Sequence, residues 1–397
     1  MPWPIVWITI GCPEGKQKLV ARETVTWDSL RELANFRAEK GCAVSLYVDL
    51  DPSTAPTPAD AETRFHSLLA EAQKEAEARD YDHERKQALA RDVNRIRVWW
   101  DADFDRDGSH GIAVFASSLD GLWRTLSLSD SVQDEIRLER ELYLAPLVPL
   151  VGRGDGALVA VVGRERGQVF RLRNGRLEEV VDQTEERPGQ HDQGGWSQAR
   201  YQRHIEKLVA DHLKNVGTEL ERRLRRGGRP ELVVIGPPAL RGEFESKLSP
   251  EARDAIVGWG TAEAHATAPE LLEVVRPILA QARAREVTEA LERWQSQAGR
   301  NGRASAGWEQ TLEAASDGRV EVLLVQAGAN RQAYRCPKCE RGSASPGACP
   351  VDGTQLEPVD DGLDLAVHRV LAFGGSVISV EGETLAGHEG IGGLLRY

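Results

Sequence analysis

A chain of 397 residues exceeds one comfortable hydrophobic core and calls for two to four domains. Its 41% hydrophobic and 28% charged content is that of a globular protein, and a net charge of −12 argues against indiscriminate nucleic-acid binding, so any RNA contact must be confined to local basic patches. No run of 18 apolar residues occurs, and Met1-Pro-Trp-Pro lacks the basic and apolar regions of a secretory signal, so a cytoplasmic address is expected, with neither membrane nor DNA as partner.

The first 143 residues alternate strand and helix signals. Apolar runs at 5–10 and 43–49 predict buried strands, helical periodicity predicts helices over 27–37, 59–78 and 83–97, and 111–116 reads as a further strand. Of the five cysteines, Cys12 and Cys42 read as buried thiols among apolar neighbours, and the set does not look like a disulfide framework. The acidic loop Asp101-Ala-Asp-Phe-Asp-Arg-Asp-Gly108 invites a calcium reading, but it lacks the closing glutamate and the paired helix of an EF-hand, which leaves a solvated turn.

A proline-punctuated apolar connector, Leu144-Ala-Pro-Leu-Val-Pro-Leu150, opens a second domain over 144–296. Strands are expected at 157–163 and 168–172, with Asn174-Gly175 as a two-residue hairpin turn into a strand at 177–181. A buried parallel-type strand follows at 231–235, then helices over 241–248 and 269–294 flanking a short segment at 255–259. This is a layered α/β domain. Between its halves, 182–193 is rich in Glu, Gln, Pro and Gly and reads as an exposed loop.

That loop runs into Gln193-Gly-Gly-Trp-Ser-Gln-Ala-Arg200 and a long basic helix. Adjacent Gly194 and Gly195 open backbone conformations closed to other residues and leave no Cβ to block a ligand. Gln198 can donate and accept hydrogen bonds but cannot ionise, so it can position a water or a developing oxyanion. Tyr201, Ile205, Leu208, Val209, Leu213, Val216, Leu220 and Leu224 form an apolar stripe that predicts packing on a sheet. Arg200, Arg203 and Lys207 share the first turns of the other face, with Ser197 as N-cap. Residues 200–229 carry nine Lys/Arg against four Asp/Glu, an excess that points to phosphate as partner. The bland reading is a surface connection followed by a solvated helix face.

The third domain, 297–397, begins after a linker at 297–306. Helices are expected at 309–315 and 363–373 and strands at 320–326 and 376–381, with a Cys-rich insert over 334–356. Cys336-Pro-Lys-Cys339 and Cys349-Pro-Val-Asp352-Gly353 have the form of paired zinc knuckles, with Asp352 in the fourth seat and His368 as the substitute ligand. A closed four-ligand zinc site is structural. The alternative is a degenerate ribbon that has lost its metal.

The Gly-Gly-x-x-Gln-Ala-Arg-Tyr string, with a loop before it and a basic helix after it, resembles the middle domain of the archaeal and eukaryotic class-1 release factor superfamily. Within it the string is most similar to a bacterial branch with a Gly-x-x-Gln loop, akin to the Vms-type peptidyl-tRNA hydrolases. Standard members carry Gly-Gly-Gln in succession, whereas Trp196 and Ser197 intervene here; decoding motifs are absent from the first domain, so stop-codon reading is not expected. The strand around 45–51 and the closing Gly390-Ile-Gly-Gly-Leu-Leu-Arg-Tyr397 carry the resemblance to the two ends of the chain. It implies a three-domain α/β architecture with a ribonuclease-H-like middle domain and an α/β sandwich bearing the Cys-rich insert. It further implies hydrolysis of the peptidyl-tRNA ester on stalled or split ribosomes, with the large subunit and tRNA as partners. The reading from a different class is a non-catalytic hibernation or rescue factor that occupies the tRNA site. Ribonuclease chemistry is set aside, because no cluster of carboxylates for metal is evident at the strand ends.

Overall fold

The computed structural model describes residues 25–54, 56–106, 108–151, 154–182, 198–226, 230–263, 265–298 and 302–397. The expected strand at 5–10 and Cys12 lie outside them. Over these described residues the protein is mixed α/β, built on three principal sheets and one small one.

The N-terminal region opens with α1 (Trp27–Ala34), where Thr26 and Ser29 form a reciprocal capping box. It ends three residues earlier than its periodicity suggests, with Asn35 as C-cap, and Arg37 instead bridges to Glu141. β1 (Ala43–Asp49) follows, then α2 (Pro58–Ala78) and α3 (His83–Ala102), which runs into the acidic stretch expected to be loop. β2 (Gly111–Ser117), β3 (Leu122–Leu128) and β4 (Glu135–Glu139) complete an antiparallel sheet of order β3-β2-β1-β4. The last two strands have half-exposed, polar-rich faces and no continuous apolar run, which hid them from sequence reasoning. Val44, Leu46 and Val48 point to α2 and α3; Ala43 and Tyr47 point to the opposite core.

The connector at Ala145–Leu150 is a 3-10 helix. Beyond it, β5 (Leu158–Val162), β6 (Gly167–Arg173) and β7 (Arg176–Asp182) form a meander. Asn174 (φ 47°) and Gly175 (φ 69°) both take the left-handed conformation that the two-residue turn between β6 and β7 demands. Next come α4 (Gln198–Arg226), β8 (Leu232–Ile235), α5 (Arg241–Glu245), α6 (Pro250–Asp254) and β9 (Ile256–Gly260). The sheet has the order β7-β6-β5-β8-β9, with β5, β8 and β9 parallel. Leu158, Ala160, Leu232 and Val234 face α4, while Val159, Val161, Val233 and Ile235 face α7 (Ala268–Ala298).

α7 joins two layers. Leu271, Leu272, Val275 and Leu279 cover the middle sheet, whereas Ala290 and Trp294 enter the core of the C-terminal sheet. Its 31 residues span about 46 Å at the standard helical rise. The helix therefore continues into the segment read as linker, and β10 (Ala304–Ala306) forms in the rest of it. α8 (Gly307–Ser316), β11 (Val320–Gln326), the small strands β12 (Ala333–Arg335), β13 (Gly342–Ser343) and β14 (Glu357–Val359), α9 (Gly362–Ala372), β15 (Ser376–Val380) and β16 (Ile391–Leu395) finish the chain. The C-terminal sheet has the order β10-β16-β11-β15, with α8 and α9 on one face and the end of α7 on the other.

Candidate functional site

Three features carry the chemistry expected of this chain: the start of α4, the cysteine insert, and the contacts that join the insert to the rest. α4 is positioned by the apolar stripe on its inner face. Val209, Leu213, Val216, Leu220 and Leu224 are buried against the middle sheet, whereas Leu208, assigned to the same stripe from its spacing, is 37% exposed. At 100° per residue Leu208 lies about 100° around the helix from Val209, outside the stripe that 209, 213, 216 and 220 centre. Sequence reasoning also missed His212, buried beside Val216 where β6 passes closest: a Cβ on Gly167 would come within 2.5 Å of Val216 and 2.9 Å of the His212 ring.

Gly194, Gly195 and Ser197 lie outside the described residues. Gln198 is the first residue of α4, and Arg200 and Arg203 belong to its first two turns. Lys207 is exposed, one turn beyond Arg203. Farther along, the basic surplus is partly internal to the helix: Glu219 accepts from Arg222, and from Arg223 at 3.1 Å, while Arg223 also donates to the Val180 carbonyl at 3.2 Å.

In the insert, Cys336, Cys339, Cys349 and Asp352 converge, with one ligand atom from each all within 4.8 Å of one another. Two turns bring them together in the same way. Cys336 N–H donates to the Arg341 carbonyl and Glu340 N–H to the Cys336 carbonyl; Cys349 N–H donates to Thr354 and Gly353 N–H to Cys349. Glu340 (φ 62°) and Gly353 (φ 72°) occupy the equivalent left-handed position of each turn. The Cys339 and Cys349 sulfurs are 3.4 Å apart and Cys336 Sγ lies 3.6 Å from Asp352 Oδ2. A tetrahedral zinc with bonds of about 2.3 Å to sulfur places ligand atoms about 3.8 Å apart, so the set fits that ion. Burial opposes ionisation of Cys336, yet the N–H groups of Cys339 and Lys338 directed at it hold its thiol below the usual range. Burial pushes Cys339 up to about 11, with the neighbouring sulfurs adding to it. Ionising three thiols this close together requires a cation between them.

His368 is not part of that group. It is buried on α9, with Nε2 2.6 Å from the Leu142 carbonyl, Nδ1 3.3 Å from that of Ala34, and Asp364 Oδ2 3.6 Å away. Asp364 in turn accepts from Leu144 N–H at 2.7 Å and Ala145 N–H at 2.9 Å. Burial pushes the Asp364 carboxyl up to about 6, with His368 pulling the other way. The first knuckle is tied to the same neighbour: Arg335 pairs with Glu141 at 2.5 Å, and Glu340 pairs with Arg37 and, at 3.6 Å, with Arg369. Nothing in the sequence marks the Arg335–Glu141 and Glu340–Arg37 pairs, whose members are some 200 to 300 positions apart.

Residues 143–283 match the family model described as bacterial archaeo-eukaryotic release factor family 10. Over 358 residues the chain is 23% identical to peptide chain release factor subunit 1 of Archaeoglobus fulgidus, covering 83% of this chain and 84% of the relative. The corresponding subunit from Methanopyrus kandleri is 26% identical over 211 residues, about half of each chain. Among solved structures, ribosome-bound archaeal Pelota with ABCE1 aligns over 72% of this chain and 77% of its own, at 16% identity and a TM-score of 0.41. The middle of the chain thus matches a bacterial branch of the archaeal and eukaryotic release factor superfamily, and the chain is similar over most of its length to an archaeal release factor subunit, in keeping with its sequence string. Among the described residues, no helix is long and apolar enough to cross a membrane.

Proposed function

We propose that this protein acts at the ribosome and hydrolyses the ester that joins a nascent peptide to the 3′ end of tRNA, on stalled or split ribosomes. The observation that carries the proposal is the position of Gln198. It is the first residue of α4, inside the stretch matched by the release-factor family model, and the Gly194-Gly195 pair precedes it by two residues. A helix start directs unpaired N–H groups and the positive end of its dipole at whatever the loop admits. That is the arrangement required to favour an oxyanion.

In this reading Gly194 and Gly195 let the loop backbone approach the terminal adenosine. Gln198 orients a water against the ester carbonyl, the tetrahedral oxyanion is held by N–H donors, and collapse breaks the bond to the ribose oxygen. The proton lost by water ends on that oxygen, since Gln198 cannot keep it. Positioning and pre-organised hydrogen bonds can lower the barrier by several kcal/mol without an ionisable base. Arg200, Arg203 and Lys207 hold phosphates of the tRNA end. The order β7-β6-β5-β8-β9 is compatible with a ribonuclease-H-like scaffold, and the insert is read as a structural zinc ribbon. The large ribosomal subunit and tRNA are the partners, and the cytoplasm is the location.

The test is release of labelled peptide from peptidyl-tRNA on large ribosomal subunits by wild type, Gln198→Ala and Gly195→Ala. Release by wild type, reduced about 100-fold or more in both variants with ribosome binding retained, is the expected result. Equal binding with no release by any of the three would replace the hydrolase with a ribosome-occupying rescue or hibernation factor.

A further inference from the structure

We propose that the junction of the three domains is a binding site for a small amphipathic amine. A cleft of about 760 Å³ opens there, a volume typical of small-molecule sites and at a domain boundary, where such sites form. His110, Ser129 and Asp130 line it from the N-terminal region, Asp155 and Leu172 from the middle sheet, and Glu381 from the end of β15. The floor is the run of α7 that crosses from one sheet to the next: Leu279, Ala280, Ala284, Val287 and Leu291. Ala280 and Ala284 are exposed, so the helix offers the cleft a shallow apolar track. The cleft is separate from the start of α4 and from the cysteine insert, and the inference does not depend on peptide release.

The charges on the wall select the ligand. Each basic group facing the cleft is matched by a carboxylate from outside it. His110 Nδ1 lies 2.9 Å from Asp51, Arg276 is 3.1 Å from Glu273, and Arg283 is 2.5 Å from Glu286. The acidic side of the wall is Asp155 and Glu381, with Asp130 adjoining. Asp155 is half-buried and accepts the Asn174 N–H at 2.9 Å. Burial pushes its carboxyl up to about 6, which an adjacent ammonium would reverse. An anionic head would meet Asp155 and Glu381 with His110, Arg276 and Arg283 already paired, whereas an ammonium on Asp155 lets an alkyl body lie along Leu279, Ala284 and Val287. The hydrophobic contact supplies affinity and the ion pair supplies the sign.

Calorimetric titration of the full-length protein with octylamine and, separately, octanoate tests this. The expected result is saturable one-site binding of octylamine, weakened about tenfold or more by Asp155→Asn and by Ala284→Trp, which fills the track, with octanoate binding far more weakly. Glu381→Gln, at an exposed position, gives a second carboxylate variant should Asp155→Asn lose its fold by circular dichroism; it too should weaken octylamine. Absence of saturable octylamine binding by folded wild type overturns the site. Equal binding of octanoate, or octylamine binding unchanged in Ala284→Trp and in whichever carboxylate variants fold, overturns the assignment.

Discussion

Glu231 illustrates how far one residue's behaviour departs from its place in the sequence. It stands at the entry to β8, where a polar residue before Leu232-Val-Val-Ile235 looks like an ordinary strand boundary. The fold leaves it half-buried in the lining of a cavity that Trp27, Arg31 and Glu286 also line. Burial raises its carboxyl to about 7, Glu286 adds to the rise and Arg283 opposes it. A carboxyl raised in the folded state costs nothing below its unfolded pKa, and its cost grows as pH climbs to the folded value. Glu231→Gln should therefore leave stability at pH 4 almost unchanged and raise it at pH 8 by roughly 1 to 3 kcal/mol, after discounting for partial exposure. Denaturant titrations at the two pH values decide it: equal gains at both would mean the substitution acts by packing and not by charge. Leu208 and Val209 teach the complementary lesson, since two adjacent apolar residues were read as one stripe although a turn of about 100° separates them and only Val209 is buried.

At the scale of elements, the two knuckles are the most legible part of the chain. The Cys-Pro-x-Cys and Cys-Pro-x-Asp spacings state which atoms can meet, because a turn of that length brings its first and fourth residues together on one side. The spacing did not disclose that Glu340 would take the left-handed position that Gly353 takes in the second turn. A glutamate there forgoes the freedom of glycine, and its carboxylate gains Arg37 and Arg369. With zinc bound, the expected stoichiometry is one ion per chain by elemental analysis. Cys349→Ser should abolish it, and chelation should make the insert over 334–356 sensitive to protease while the middle domain stays resistant. Full zinc retention in Cys349→Ser would remove that residue from the ligand set. β3 and β4 mark the opposite case: half-exposed strands owe their existence to pairing with β2 and β1, partners that a local pattern does not show.

Across the whole molecule, one core joins the N-terminal sheet to α8 and α9: Tyr47, Phe115 and Leu142 share it with Trp308, Leu312 and Leu365. His368 and Asp364 are the polar centre of that contact, accounting for the Leu142 carbonyl and for the Leu144 and Ala145 N–H groups. A buried donor removed from such a set leaves a carbonyl without its partner. His368→Ala is expected to destabilise the protein by about 2 to 4 kcal/mol and to speed proteolysis within 140–151, between the N-terminal and middle regions. A loss below about 0.5 kcal/mol with unaltered cleavage would make the histidine a bystander. α7 provides the other long-range tie, since its two ends lie in two different cores.

Local chemistry was enough to determine the α/β class, the Asn174-Gly175 turn, the amphipathic α4, the clustering of three cysteines with Asp352, and the release-factor string at 194–201. Each rests on periodicity or on contacts a few residues long. Tertiary structure alone decided the exile of His368 from the cysteine cluster to the Leu142 carbonyl, the raised carboxyls of Asp155, Glu231 and Asp364, and the cleft that opens along α7. Burial and charge proximity depend on which distant segments meet, and that is set by the packing of whole sheets and helices rather than by any one stretch of chain.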